Sequence, residues 1–99
     1  MEITGKNFIG FERSSNGKNS FNAVNPDTLK PLETDFYEAT SDEINKAVEK
    51  AERAFQQYKS MTNSDRAGFL EMIGEEIMAL SDELIHRCMQ ETGLPEGRL

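Results

Sequence analysis

Between Thr40 and Tyr58 the chain sets Ile44, Ala47, Val48, Ala51, Ala54, Phe55 and Tyr58 at three- and four-residue steps, the spacing that collects side chains on one face of an α-helix. Thr40 stands where its hydroxyl caps the first turn. Glu43, three residues on, is placed to reach back to the open backbone N–H, the T-x-x-E form of a capping box. The pattern predicts a helix over 40–59 with a single apolar stripe. Burying Ile44, Val48 and Phe55 returns roughly 1.5 to 3 kcal/mol each, whereas ordering the backbone costs roughly 1 to 2 kcal/mol for every residue fixed. Such a helix does not hold alone, and the surface that the other residues offer it decides the fold.

That surface is small. A chain of 99 residues supports one core at most and buries only about 60 to 70% of its unfolded surface. Its 36% hydrophobic and 29% charged residues are ordinary for a soluble globular chain and too apolar for a disordered one. Eleven Lys and Arg against eighteen Asp and Glu leave a net charge of -7, which repels phosphate backbones and anionic headgroups, so neither nucleic acid nor membrane is expected as a partner. Met1-Glu2-Ile3-Thr4 lacks the basic and apolar regions of a secretory signal, and no apolar run is long enough to span a bilayer. One cysteine and no N-x-S/T site agree with a reducing interior, and the expected compartment is the cytoplasm.

Residues 1–39 read as a β-hairpin region. Phe8-Ile9 and Phe21-Asn22-Ala23-Val24 flank Ser14-Ser15-Asn16-Gly17, and Asn-Gly supplies the positive φ angles of a tight hairpin turn. Asn25-Pro26-Asp27-Thr28 predicts a type I turn, with Leu32 to Tyr37 as a third short strand and Pro31 off any central ladder position. After the first helix, Thr62 with Asp65 repeats the capping logic for a second helix over 62–92, whose stripe is Ala67, Leu70, Ile73, Ile77, Leu80 and Leu84. Gly74 in that helix suggests either the close approach of another backbone or simple sequence drift. Ser81-Asp82-Glu83 predicts a kink or a capped restart. Thr92-Gly93 with Pro95 beyond is a helix stop, and 95–99 reads as the start of a truncated further helix. The expected class is an α+β fragment: an antiparallel hairpin or short meander followed by two long amphipathic helices.

Candidate chemistry is sparse. Cys88 is the only thiol and His86 the only imidazole, so a Cys/His nucleophile pair has to be weighed. Two residues apart on a helix they point away from each other, and Cys88 sits late in a helix on the apolar stripe, without the basic or N-terminal setting that activates a thiol. A core or interface filler for Cys88, and a place on the solvent side or at an element boundary for His86, are the better readings. Glu71, Glu75 and Glu76 cluster on the second helix as acid/base pairs or hard-cation ligands do, but no cleft partner or calcium-loop spacing accompanies them, and a solvated face accounts for them. Thr4-Gly5-Lys6 has the ending of a phosphate loop without its upstream glycine and strand. No catalytic, cofactor-binding or metal residue is assigned on these grounds.

The ordered set of pieces resembles the N-terminal segment of the aldehyde dehydrogenase superfamily. The likeness runs through Asn7-Phe8-Ile9-Gly10, Phe21-Asn22-Ala23-Val24-Asn25-Pro26 and Glu38-Ala39-Thr40. It continues through Ala47-Val48, Ala51-Glu52-Arg53-Ala54-Phe55, Arg66-Ala67, Leu70 and Glu91-Thr92-Gly93. Leu94-Pro95-Glu96 with Arg98-Leu99 looks like the branch that oxidises α-ketoglutarate semialdehyde, or 2,5-dioxopentanoate, since most other branches carry lysine where Leu94 stands. Tryptophans common in the family's hairpin and after its first helix are absent, with Phe11 and Tyr58 near those places. The resemblance implies a parent of α/β aldehyde dehydrogenase fold. That parent uses NAD or NADP to oxidise an aldehyde through a cysteine thiolate, with a glutamate activating water. Those residues and the cofactor turn lie beyond Leu99, and Cys88 does not match the nucleophile motif. The fragment is therefore expected to bind no cofactor, to be inactive alone, to scaffold the parent's cofactor-binding domain, and to self-associate through its apolar helix faces when isolated. The competing reading is a freestanding helical module that offers an amphipathic helix to a partner groove.

Overall fold

The computed structural model describes residues 2–99. They group into two compact units, one made of Ile3–Phe21 and Thr34–Thr62, the other of Asn22–Glu33 and Asn63–Leu99 with Glu2.

In the first unit, β1 (Asn7–Ile9) pairs antiparallel with β2 (Glu12–Ser14), Ile9 opposite Glu12 and Phe8 opposite Arg13. That register carries the Arg13 guanidinium over the Phe8 ring, 5.3 Å from its centroid, a cation–π contact between exposed neighbours. The hairpin turns at Gly10-Phe11, not at Asn16-Gly17. Gly10 has φ 63 and Phe11 is not among the positive-φ residues, the pattern of a two-residue loop with glycine first, whose twist matches the flanking strands. Gly17 has an ordinary φ. It is needed because a Cβ there would run into the carbonyl oxygen of Glu38.

A second antiparallel pair joins β3 (Ser20–Phe21) to β4 (Phe36–Tyr37), with the rings of Phe21 and Phe36 stacked 5.8 Å apart. The strand expected over Leu32 to Tyr37 is therefore only its last two residues. Thr34 is the reason: its φ of 91 lies outside the extended region, and a β-branched residue held there interrupts a strand.

Helix α1 (Ser41–Tyr58) starts at the expected cap. The backbone N–H of Glu43 donates to the Thr40 hydroxyl at 3.1 Å, and the Thr40 N–H donates to the Glu43 carboxylate at 3.0 Å. Both halves of the capping box are made. Replacing Thr40 with alanine is expected to cost about 1 kcal/mol of helix stability, to be read as faster exchange of the Glu43 amide in the 99-residue chain; unchanged exchange would contradict the cap.

In the second unit, Asn25 closes its turn with both its side chain and its backbone. Its Oδ1 accepts the N–H groups of Asp27 and Thr28 at 2.9 and 3.3 Å, and its carbonyl accepts the N–H of Leu29 at 2.8 Å. The loop is one residue wider than the type I turn expected around Pro26, with Leu29 in the left-handed region at φ 58. Pro31 makes only an isolated bridge, to Val24.

The long second helix is two helices, α2 (Asn63–Ala79) and α3 (Ser81–Thr92), broken at Leu80. The break is uncapped. Leu80, at φ -95 and ψ 4, occupies the cap position and has no side-chain oxygen, while Ser81 is the first helical residue. Gly93 ends α3 in the left-handed conformation at φ 70, its N–H donating to the Met89 carbonyl at 2.9 Å, as expected of glycine after a last turn. Glu96–Arg98 forms one 3-10 turn with Pro95 as its cap.

Candidate functional site

The residues singled out for chemistry do not converge. Cys88 is half-buried and His86 exposed on α3. His86 faces a shallow cleft with Asp82, Ile85, Met89 and Glu96, which Cys88 does not line. Glu71, Glu75 and Glu76 are exposed along α2. Among the described residues no group of three or more His, Cys, Asp or Glu side chains is placed to hold a metal ion. Gly5 serves the backbone instead of a phosphate: its φ is 68, its carbonyl accepts the Tyr37 N–H at 3.0 Å, and a Cβ on it would collide with the Asp35 carbonyl.

The polar structure that is built lies where the hairpin meets α1. Glu43 is the only buried charged side chain among the described residues, at 3% exposure. The Ser14 hydroxyl, foremost, and the backbone N–H groups of Thr40 and Asn16 hold its carboxyl below the usual value of 4.5, outweighing the opposing effect of burial. Glu12 on β2 is likewise lowered, by Lys46 first and then Lys50, whose ammonium groups stand 2.9 and 3.5 Å from its Oε2. That pairing is exposed and screened by water. Lys50 also donates to the Ile9 carbonyl at 3.3 Å, and its stem crosses Gly10 so closely that a Cβ there would lie 2.9 Å from Lys50 Cδ.

Because the folded pKa of Glu43 lies below its unfolded value, the stabilisation it gives is complete above about pH 4.5 and is lost as pH falls through the folded pKa. Acidification is therefore expected to release the Asn16 N–H from the Glu43 carboxylate. An Asn16 amide resonance that does not shift between pH 6 and pH 2 would contradict this. The capping spacing pointed to Glu43, but no local pattern signalled Ser14 or Asn16, which reach it only through the hairpin's register.

The apolar surface is largely open. Among the described residues Ile9, at 4%, is the only buried apolar side chain. The α1 stripe does meet β1, in a groove lined by Phe8, Ile9, Ile44, Ala47 and Val48, yet Val48 stays 62% exposed. On α2 the expected single stripe is incomplete. Phe69, Met72 and Met78 join Leu70, Ile73 and Ile77, all of them exposed, and at 3.6 residues per turn these positions cover roughly two-thirds of the circumference. Phe69, Met72, Ile73, Ile77 and Leu80 line an open groove of about 390 Å³. A helix apolar on so many sides is designed to be buried. The signal was present in the sequence, in the methionines and phenylalanine beside the stripe. A Cβ on Gly74 would meet nothing within 4 Å beyond its own helix, so no backbone among the described residues makes the close approach expected there. No helix among the described residues is long and apolar enough to cross a membrane.

Comparison with known proteins relates the chain to one enzyme family. Residues 11–98 match the aldehyde dehydrogenase family. The chain is 38% identical over its whole length to alpha-ketoglutaric semialdehyde dehydrogenase 2 of Azospirillum brasilense, of which it covers 19%. It is 36% identical over 99% of its length to the alpha-ketoglutaric semialdehyde dehydrogenase of Acinetobacter baylyi, again 19% of that protein. Over 77% of its length it is 34% identical to the 1-pyrroline-5-carboxylate dehydrogenase of Staphylococcus epidermidis, covering 15% of it. The chain thus spans about a fifth or less of the curated relatives it matches. No solved structure matches it significantly.

Proposed function

The chain belongs to the aldehyde dehydrogenase family, and from that premise we propose that it is the N-terminal segment of an NAD- or NADP-dependent enzyme that oxidises α-ketoglutarate semialdehyde to the dicarboxylic acid in the cytoplasm. Its own part is structural. Its helices carry far more apolar surface than the chain covers, with one apolar side chain buried among the described residues, and the remainder of the parent enzyme supplies the missing surface. Two relatives named for that substrate, matched over nearly the whole chain, support the substrate class. The single observation that carries the scaffold reading is α2, whose apolar side chains spread around most of its circumference and of which no residue is buried.

Cys88, His86 and the Glu71, Glu75 and Glu76 carboxylates form no common constellation, and the segment alone is expected to reduce neither NAD nor NADP with any aldehyde. In isolation its helix faces should bind a hydrophobic dye and drive self-association. The test is an enzyme that contains this segment together with the sequence following Leu99, assayed for NAD and NADP reduction with α-ketoglutarate semialdehyde and with unsubstituted aliphatic aldehydes. Preferred turnover of the semialdehyde is the expected result. Turnover of the aliphatic aldehydes alone would overturn the substrate class, and cofactor reduction by the isolated segment would overturn the scaffold role.

A further inference from the structure

The Glu43 carboxylate makes two attachments at once. Its Oε1 accepts the Thr40 N–H at 3.0 Å and the Thr40 hydroxyl at 3.2 Å, completing the cap of α1. Its Oε2 accepts the Asn16 N–H at 3.5 Å, and the nearby Ser14 hydroxyl does most to favour its charged form. The first set fixes where the helix begins. The second ties the end of β2 and the loop after it to that helix end.

These two events share one side chain with one set of torsions. Once Thr40 holds Glu43 in place, the rotamer freedom that hairpin docking would otherwise cost is already lost, and the converse holds when Ser14 and Asn16 bind first. Apolar packing offers little alternative, since Ile9 is the only buried apolar side chain among the described residues. A two-stranded hairpin is marginal in water without a helix or a third strand against it.

We propose that Glu43 is a latch coupling the start of α1 to the docking of the β1–β2 hairpin, so that loosening either one loosens the other. The latch assembles the first unit of the fold, independently of what later covers the open faces of α2.

The test is amide exchange and amide chemical shift in the 15N-labelled 99-residue chain at neutral pH, read at Asn16 on the hairpin side and Glu43 on the helix side. Thr40→Ala removes only a cap hydroxyl, and the expected result is loss of protection at Asn16 as well as at Glu43. Ser14→Ala should unprotect Glu43 in the same way. Glu43→Gln separates the two functions: its carbonyl still serves the cap, but its amide NH2 has no lone pair for the Asn16 N–H, so Asn16 loses protection while the Thr40 N–H keeps its bond. The Ser14→Ala, Thr40→Ala double variant should lose less than the sum of the singles. Asn16 unaffected by Thr40→Ala, additive losses in the double variant, or an Asn16 amide exchanging at the unfolded rate in the parent chain would each overturn the coupling.

Discussion

Ile77→Asp is expected to act in opposite directions in the isolated chain and in the complete enzyme. In the isolated chain Ile77 is 51% exposed on the wall of the α2 groove. A carboxylate there is hydrated, its effect on stability stays within about 0.5 kcal/mol as for other surface substitutions, and it interrupts the apolar patch. Dye binding and self-association should fall. In the enzyme proposed above, the same position is covered, and an aspartate would be buried without a partner. The cost is then about 3 kcal/mol or more, enough to remove most of the soluble, active protein. Soluble yield and dye fluorescence measure the first arm, and yield with specific activity the second. An enzyme that tolerates Ile77→Asp would mean that the face of α2 stays in water and that the scaffold reading is wrong.

Gly5→Ala is expected to have the largest effect of any single methyl addition in the first unit. Gly5 sits at φ 68, and a Cβ there would collide with the backbone carbonyl of Asp35. The left-handed conformation alone costs a non-glycine residue about 1 to 2 kcal/mol. The obstacle is main chain, which cannot swing aside as a flexible side chain can. Relief requires the segment to draw away from 34–37, which breaks the 3.0 Å bond from the Tyr37 N–H to the Gly5 carbonyl. A total loss of roughly 2 to 4 kcal/mol is expected, visible as lost protection of the Tyr37 amide. Gly74→Ala is the control. Among the described residues nothing beyond its own helix lies within 4 Å of its Cβ position, so the same change in an open helix should stabilise by roughly 0.5 to 1 kcal/mol. A Tyr37 amide equally protected in Gly5→Ala would show that the contact with Asp35 is not a constraint.

The sequence by itself determined what depends on neighbours along the chain. The Thr40–Glu43 cap and the left-handed Gly93 each follow from residues within a turn of one another, because a helix end leaves backbone groups that only nearby side chains or a glycine can satisfy; the break beside Ser81 falls where the sequence places it, but without the cap expected there. The ordered motifs likewise identified the family over nearly the whole chain. Tertiary structure decided what depends on residues far apart in sequence. Asn-Gly at 16–17 has the composition of a hairpin turn, yet the chain turns at Gly10, where Lys50 lies across it, and uses Gly17 to let the Glu38 carbonyl approach. Glu43 could be read as a cap but not as the buried carboxylate that also holds Ser14 and Asn16. The reach of the apolar surface was the hardest to judge, since periodicity shows which face is apolar and not how many bodies will lie against it. With Ile9 the only buried apolar side chain among the described residues, burial is a property of whatever surrounds a helix, and no residue carries that information about itself.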